Sequence, residues 1–370
     1  MSSRAYTREQ ACRIYLAGAP GMTPRIYYIL LSAYGTGEAA FDALRREGRI
    51  PGLTAEFCRK MRERCRQERM DAWMEALEQS GIACVCRGDA DYPTLLEEIF
   101  DPPAVLYCLG EGPLELPRSV AVVGTRRGTQ HGEQSARMIA RDLAAGGVAV
   151  VSGMARGIDG QAHEGALERG GVTVAVLGSG VDVPYPPEHT GLYHRILDHG
   201  GRIISEFPPG TPPYRNNFPQ RNRIISGLCP ATLVVEAGSR SGALITANSA
   251  ADQGREVFAL PGSIANPAAA GSNELIASGA TLVFSAQDIL DEMGWEGDLA
   301  RADMIQTPEP PALSPDEQRL CQCLENQPVG LVELALRTNL PVPRLNSLLT
   351  SLELKGIIKQ LPGNLFCKEI

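Results

Sequence analysis

Seven short apolar segments alternate with helical patterns through the middle of this 370-residue chain. Each segment is too short for a helix and too continuously apolar for a strand with one exposed face, which is typical of strands buried on both faces. The segments lie at residues 119–124, 148–152, 172–177, 202–205, 231–236, 256–260 and 280–284. Helical patterns such as 134–145 and 241–253 separate them. The alternation predicts an α/β fold, a Rossmann-like doubly wound and mostly parallel sheet, over residues 88–295, entered through an extended, proline-rich lead-in at 88–118.

Residues 1–87 predict a small N-terminal helical domain with an internal repeat. Ala-Pro-Gly-Met-Thr at 19–23 and Ile-Pro-Gly-Leu-Thr at 50–54 each precede an amphipathic stretch, at 24–31 and 55–81. Such turns between short helices resemble helix-hairpin-helix or sterile-alpha-motif-like units, which contact DNA or protein. A simple helical accessory bundle fits equally well, because the basic residues of the second stretch have acidic neighbours at helical spacing.

A polar, proline-rich linker is expected at 296–313, followed by a C-terminal winged-helix domain at 314–370. Ser314 is a typical N-cap for the first helix of that domain. Helical patterns at 315–326, 331–338 and 342–355 precede a hairpin pattern at 356–360 and 363–367. The third helix carries only two cations, so DNA reading and protein contact remain equally compatible with it.

The charge balance constrains any nucleic-acid role. The chain has 43 acidic and 35 basic residues, a formal net charge of −8. This argues against a broad basic surface that grips a duplex over many phosphates. A confined pocket that binds a kinked single strand remains compatible with it.

The remaining composition narrows the class of protein. No run of about 18 apolar residues occurs and the N-terminus lacks a hydrophobic signal core, so we expect a soluble, cytoplasmic protein without membrane contact. Ten cysteines are scattered along the chain, and the pairs Cys84/Cys86 and Cys321/Cys323 lack partners at metal-ligand spacing. We therefore expect reduced, structural cysteines, with no metal and no cofactor.

Glycine and arginine recur in the turns that follow predicted strands. The turns at 124–128, 152–157 and 237–242 each hold both residue types. Because the carboxyl ends of parallel strands meet at one edge, where ligands bind, these turns should lie together. Glycines let backbone approach an anion and arginines supply bidentate charge. The helix expected after residue 217 adds Arg221 and Arg223 at an N-terminus, a second anion-binding feature.

These motifs resemble the DNA-processing protein A family, also called DprA or Smf. The matching segments are 122–126, 151–163, 175–186, 205–210, 218–228, 234–237, 241–247 and 254–262. So many ordered blocks are far more specific than any one of them. The resemblance implies a single-stranded DNA binding protein that protects incoming DNA and helps load RecA recombinase, as in natural transformation. It also implies a homodimer formed through the Rossmann-like domains, and no catalysed reaction.

The predicted DNA-binding site combines this resemblance with the chemistry of the turns. Arg126 matches the family's phosphate-binding arginine in Gly-Ser/Thr-Arg, whereas family members often have Lys where Arg156 stands, which keeps the charge and alters the geometry. Phe218 is a candidate to stack on a base, or else a core residue. We expect the glycines and serines to act mainly through backbone N–H groups. The predicted residues are Gly124, Thr125, Arg126, Ser152, Gly153, Arg156, Gly157, Phe218, Arg221, Asn222, Arg223, Ser241 and Gly242.

Enzyme interpretations find less support in the motifs. Neither Gly-x-Gly-x-x-Gly after the first strand nor Gly-x-x-x-x-Gly-Lys-Ser/Thr is present. His163 near Asp159 is a possible base, but bonding to the adjacent loop is the simpler interpretation. Glu206 and Glu236 end strands at the same edge, where we expect them to position arginines or a base. The main alternative function is a nucleotide-processing enzyme resembling the phosphoribohydrolases, but their Pro-Gly-Gly-x-Gly-Thr-x-x-Glu motif has no glutamate counterpart after 237–242. A pure protein scaffold is the third class.

Overall fold

The computed structural model describes residues 5–46, 50–295, 314–324, 329–338, 340–354, 357–361 and 365–368. The chain divides into two compact units, Met1–Leu299 and Ala300–Ile370. The first contains the N-terminal helices and a large sheet with its own helices. The second contains a small sheet with three described helices.

A nine-stranded sheet forms the centre of the first unit. Its strands are β1 (Ala83–Cys86), β2 (Val105–Gly110), β3 (Ser119–Val123), β4 (Ala149–Ser152), β5 (Thr173–Val176), β6 (Arg202–Ser205), β7 (Ala231–Val234), β8 (Glu256–Ala259) and β9 (Thr281–Leu282). Their order is β1-β2-β6-β5-β4-β3-β7-β8-β9, and the pairings among β3 to β9 are all parallel. The seven predicted strands are therefore confirmed.

Two antiparallel strands at one edge are not predicted by the apolar pattern. β1 pairs with β2 and β2 pairs with β6, both antiparallel. An antiparallel pair needs no crossover helix, so the strand-helix alternation that marks the other seven strands does not mark these two. β2 lies within the segment expected to be an extended lead-in. The sheet begins at Ala83, inside the region predicted to be helical.

Helices cover both faces of the parallel part of the sheet, as burial of its strands requires. They are α6 (Thr94–Glu97), α7 (Gln130–Ala145), α8 (Ile158–Glu168), α9 (Thr190–Asp198), α10 (Asn217–Gly227), α11 (Gly242–Asp252), α12 (Ala270–Ala277) and α13 (Ala286–Glu292). Ile225 of α10 and Ala247 of α11 belong to one apolar core. Ile139 of α7 and Ala162 of α8 belong to another. The doubly wound arrangement is thus confirmed.

Five helices in the described residues before β1 contain the predicted repeat. They are α1 (Arg8–Ala17), α2 (Pro24–Tyr34), α3 (Gly37–Arg46), α4 (Ala55–Arg64) and α5 (Gln67–Gln79). Thr23 and Thr54 cap α2 and α4 through their side-chain oxygens. Gly21 and Gly52, in the turns before them, have φ of +83° and +80°, a conformation that favours glycine. The continuous stretch predicted at 55–81 is divided between α4 and α5.

The second unit has the elements of a winged helix. Its helices are α14 (Pro315–Cys323), α15 (Leu331–Thr338) and α16 (Val342–Leu354), and its strands are β10 (Val329–Gly330), β11 (Ile358–Leu361) and β12 (Leu365–Lys368). Ser314 caps α14 in a capping box with Glu317, as the N-cap prediction requires. β12 pairs antiparallel with both β10 and β11, which confirms the predicted hairpin. The linker predicted at 296–313 lies outside the described residues.

The described residues bear on the expectations for cysteines, metal ions and membrane spans. All ten cysteines are free thiols, and Cys84 and Cys86 are buried in β1. Within the described ranges, no three His, Cys, Asp or Glu side chains are grouped so as to hold a metal ion. None of the described helices is long and apolar enough to cross a bilayer.

His163 is buried inside the first unit as a neutral side chain. It is 0% exposed, and its Nδ1 lies 2.7 Å from Thr173 Oγ1. Thr173 donates its hydroxyl proton to the Val150 carbonyl at 2.8 Å, so His163 must donate to Thr173 through Nδ1–H. Burial, with smaller contributions from His189 and Arg221, lowers the pKa of His163 from 6.5 to about 3. His163 therefore packs α8 against β5 rather than serving as a base.

We expect the free energy of unfolding to fall as the pH drops below 6.5. The unfolded chain then protonates His163 while the folded chain does not until about pH 3, so the stability lost at pH 5 is about 2 kcal/mol. Urea denaturation of the wild type, His163→Gln and His194→Gln at pH 7 and pH 5 measures this. His194 is exposed, so its variant should keep the wild-type dependence. An equal pH dependence in all three proteins would contradict the assignment.

Candidate functional site

The topological switch point of the sheet lies between β3 and β7. The chain runs from β3 through β4 and β5 to β6 on one side, and from β7 through β8 to β9 on the other. The loops that leave β3 and β7 diverge there, and the crevice between them is where open α/β sheets bind ligands. The Thr125 amide donates to the Glu236 carbonyl at 2.7 Å and joins the two loops.

A cleft of about 450 Å³ opens at this edge. Its lining residues come from the loops after β3 and β4, the start of α8, the middle of α10 and the first half of α11. They are Val123, Gly124, Thr125, Arg126, Arg127, Ala155, Asp159, Arg221, Asn222, Ile225, Ser241, Gly242, Ala243 and Thr246. Arg221 and Arg223 are the fifth and seventh residues of α10, so they do not lie at its N-terminus as predicted. Three arginines and one aspartate make the cleft cationic on a chain whose net charge is −8.

Arg126 and Arg127 are the uncommitted cations of the cleft. Both side chains are exposed, and within the described residues neither lies in an ion pair. The Arg126 guanidinium lies over the Phe218 ring, 5.2 Å from its centroid, in a cation–π contact. Phe218 is half-buried and packs so closely on Gly178 that a Cβ there would lie 2.9 Å from the ring. Phe218 therefore supports Arg126 from below.

Arg221 is a structural arginine beneath the floor of the cleft. It is 2% exposed, and its Nη1 donates to the Gly153 carbonyl at 2.8 Å and to the Val176 carbonyl. A Cβ on Gly153 would lie 2.6 Å from its Nη2. Burial lowers the pKa of Arg221 to about 10, with Asp159 opposing the shift, so the side chain is charged at neutral pH.

Asp159 is the carboxylate that compensates this buried charge. It lies in the first turn of α8 and is 5% exposed. Its Oδ2 accepts the amides of Gly153 and Ala155 at 3.2 and 3.4 Å. Burial raises the pKa of Asp159, while Arg221 and the backbone donors oppose the rise. The loop after β4 thus donates two backbone amides to a side chain of α8, the helix that follows it.

The other two predicted arginines lie outside the cleft lining. Arg223 donates to both carboxylate oxygens of Glu206 at 2.7 Å, and to the Asp101 carbonyl at 2.9 Å. Arg156 is exposed at the surface and pairs with Glu188. Both carboxylates neutralise their arginines in the free protein.

Some of the predicted glycines and serines line the cleft, and others lie outside its lining. Ser152 is buried and donates to the Val122 carbonyl at 2.6 Å, below the cleft. Gly157 has a φ of +72° and lets the start of α8 approach the loop after β3. A Cβ on Gly157 would lie 2.6 Å from the Thr125 carbonyl oxygen. Ser241 and Gly242, in contrast, line the cleft at the N-terminus of α11.

A second cavity, of about 550 Å³, has Glu236 in its lining. Glu236 accepts the Thr129 amide at 2.7 Å, the Thr129 hydroxyl at 2.9 Å and Asn266 Nδ2 at 3.1 Å. The described lining of this cavity includes no lysine or arginine. A buried carboxylate without a cation repels an anion, so the first cleft is the better phosphate site.

The structure brings together seven of the predicted site residues and adds others. Gly124, Thr125, Arg126, Arg221, Asn222, Ser241 and Gly242 all line the cleft. Gly153, Gly157 and Phe218 contact lining residues, whereas Ser152, Arg156 and Arg223 lie outside the lining. Arg127, Ala155, Asp159 and Thr246 line it without having been predicted as binding residues. Arg127 shares the glycine-rich turn of Arg126, a signal that was available in the sequence.

Known proteins share this sequence pattern and fold. A family model described as DNA recombination-mediator protein A matches residues 83–294, and one described as DprA winged helix domain matches residues 305–364. Protein Smf from Escherichia coli (strain K12) is 42% identical over 300 residues, which cover 78% of this chain and 78% of that protein.

Two solved structures extend the likeness to three dimensions. DNA processing protein A from Streptococcus pneumoniae aligns with a TM-score of 0.65 and 35% identity, over 76% of this chain and 97% of that one. DNA processing protein A from Helicobacter pylori, whose structure is described for its unique single-stranded DNA binding mode, aligns with a TM-score of 0.52 and 29% identity, over 59% of this chain and 97% of that one.

Because Arg221 is buried and Arg126 is exposed, we expect their alanine variants to differ in the free energy of unfolding. Arg221→Ala leaves Asp159 buried without its compensating charge, so we expect the free energy of unfolding to fall by about 3 kcal/mol or more. Arg126→Ala removes an exposed side chain and should change it by at most about 0.5 kcal/mol. Urea denaturation of both variants tests the distinction. Equal stability of the two variants would show that Arg221 is not structural.

Proposed function

The chain belongs to the DNA recombination-mediator protein A family, and from that membership we propose that the cleft at the switch point binds single-stranded DNA. The family relative from Helicobacter pylori is described as a single-stranded DNA binding protein. The observation that carries the proposal is the pair Arg126 and Arg127, which are exposed, cationic and unpaired within the described part of this acidic chain.

The chemistry of the cleft supports a phosphate ligand. Arginine binds phosphate oxygens through paired N–H donors, and a helix N-terminus adds partial positive charge. Both features face the cleft, as the side chains of Arg126 and Arg127 and as the first turn of α11. The Thr125 and Ser241 hydroxyls and the Asn222 amide add neutral polar groups beside them.

The size and surroundings of the cleft support a single strand over a duplex. A recessed site of about 450 Å³ accommodates a nucleotide of a kinked strand, whereas a duplex presents phosphates over a wide, even surface. The acidic remainder of the chain repels that larger array of phosphates. Binding rather than catalysis is proposed, because Asp159, Glu206 and Glu236 all bond to groups of the protein itself.

Arg126→Ala should weaken binding to a 20-nucleotide oligothymidylate by about 10- to 100-fold, since one charge-assisted contact is lost. Each lost phosphate contact should also reduce the slope of log affinity against log salt by about 0.7. Fluorescence anisotropy titrations at several salt concentrations measure both quantities, with a duplex of equal length as the competitor.

Arg137→Ala is the matched control for that titration. It removes the same charge from an exposed arginine on α7, where Arg137 pairs with Glu168. If Arg126→Ala and Arg137→Ala behave alike, the effect is one of net charge and the proposed site is wrong.

We also propose a role in DNA recombination. A protein that holds a single strand in a confined cleft leaves most of each bound nucleotide chain accessible to another protein. We place this chain in the cytoplasm, where it protects incoming DNA and helps load RecA recombinase onto it, as in natural transformation. The support for this step is family membership rather than a surface of the structure.

A homodimer through the Rossmann-like domain is the assembly we propose. β9 is the outer strand of the sheet on the side opposite β1, and Leu282 within it is 41% exposed. Phe284 follows directly and is 68% exposed. Exposed large apolar residues at a free strand edge are typical of an association surface. Two linked clefts would raise the avidity for a long strand by about 10²- to 10⁴-fold.

The double variant Leu282→Asp/Phe284→Asp should be monomeric where the wild type is dimeric, because two charges cannot be buried in an apolar contact. Light scattering at micromolar concentration measures this. Met138→Asp is the matched control, since Met138 on α7 is also 41% exposed. A monomeric wild type, or a double variant that remains dimeric, would remove this surface from the account.

A further inference from the structure

Four side chains form a continuous strip that leaves the cleft at Arg126. The Arg126 guanidinium lies 5.2 Å from the centroid of Phe218, and the Phe218 ring lies 5.4 Å from that of Tyr185, tilted by 45°. The Tyr185 phenol in turn lies beside the Arg156 guanidinium and contributes to raising its pKa, after the larger effect of Glu188. The strip thus presents cation, ring, ring and cation in sequence.

Glu188 covers the far end of this strip. Arg156 Nε donates to Glu188 Oε1 at 2.9 Å, and Nη2 donates to the same oxygen. The two side chains are 52% and 57% exposed. Solvent screens an ion pair this exposed, so it contributes little to the stability of a fold. The carboxylate occupies donors that a phosphate would otherwise take.

We infer that Tyr185 and Arg156 form a second nucleotide subsite, in which a base packs against Tyr185 and a phosphate binds Arg156, and that Glu188 occupies the phosphate position in the free protein. The inference rests on the proposed function, because a strand held at Arg126 brings its next nucleotide onto the strip. Glu188 then acts as an internal competitor that lowers the affinity of the wild type.

If Glu188 competes with a phosphate for Arg156, removing its charge should raise the affinity for DNA, which is not expected of a simple surface ion pair. Glu188→Gln keeps the shape of the side chain and frees Arg156, so affinity for a 20-nucleotide oligothymidylate should rise about 5-fold at low salt. In the wild type a phosphate at Arg156 only replaces Glu188, whereas in the variant it adds a new contact. The slope of log affinity against log salt should therefore steepen by about 0.7.

Glu168→Gln is the matched control. Glu168 pairs with Arg137 at the C-terminal end of α8, away from the carboxyl edge of the sheet. Its variant removes the same charge and should leave both affinity and slope near the wild-type values. The double variant Arg156→Ala/Glu188→Gln should lose the gain, because the gain requires Arg156.

Tyr185 is tested by variants that separate stacking from packing. Tyr185→Phe should keep the wild-type affinity for oligothymidylate, and Tyr185→Leu should lower it about 5-fold or more, since a base-aromatic contact is lost. With an abasic strand of equal length, Tyr185→Leu should match the wild type. Thermal melting of the Leu variant identifies any loss of folding.

The outcomes distinguish this subsite from the primary site. If Arg126→Ala abolishes binding but Glu188→Gln matches Glu168→Gln, the subsite is wrong and the proposed function stands. If the gain persists without Arg156, Glu188 acts by general repulsion and the subsite is wrong again. If the wild type binds no single strand at all, the proposed function fails and the subsite fails with it.

Discussion

The buried guanidinium of Arg221 ties together the elements that form the cleft. It reaches from α10 under Gly153 to the carbonyl at the end of β5, close to the carboxylate of Asp159 on α8. A buried charge costs several kcal/mol unless donors and counter-charge are satisfied, so these elements must be in place together. The requirement for glycine at 153 follows from the same contact. The floor of the cleft is therefore fixed before any ligand arrives.

The other arginines near the cleft differ in their contacts: some pair with carboxylates and others do not. Arg223 is held by Glu206 and Arg156 is covered by Glu188, whereas Arg126 rests on an aromatic ring and keeps its donors for solvent. A chain with net charge −8 needs such a division, because every carboxylate near a phosphate site weakens it. Local cationic character here comes from leaving particular arginines unpaired, not from a basic surface.

These contacts also show which features of the fold and the cleft can be predicted from the sequence alone. Strand-helix alternation identifies β3 to β9 because each of these parallel strands is a short apolar run followed by a helix, whereas β1 and β2 lack that pattern. Arg126 is recognisable because its turn follows a buried strand within a few residues. The burial of Arg221 is not, because its acceptors lie 68 and 45 positions away in the chain, at Gly153 and Val176. Local pattern reveals which turns meet, but side-chain pairing depends on sequence-distant partners.

Asp159 also distinguishes this site from the nucleotide sites of dinucleotide-binding sheets. In dinucleotide-binding sheets, backbone amides at a strand-helix turn bind the pyrophosphate directly. Here the amides of Gly153 and Ala155 donate to the Asp159 carboxylate, so these two donors are not available to an anion. Exposed side chains such as Arg126 remain accessible beside this turn, and they reorient at little cost. A ligand whose phosphates recur along a flexible strand suits such side chains better than a rigid backbone cradle does.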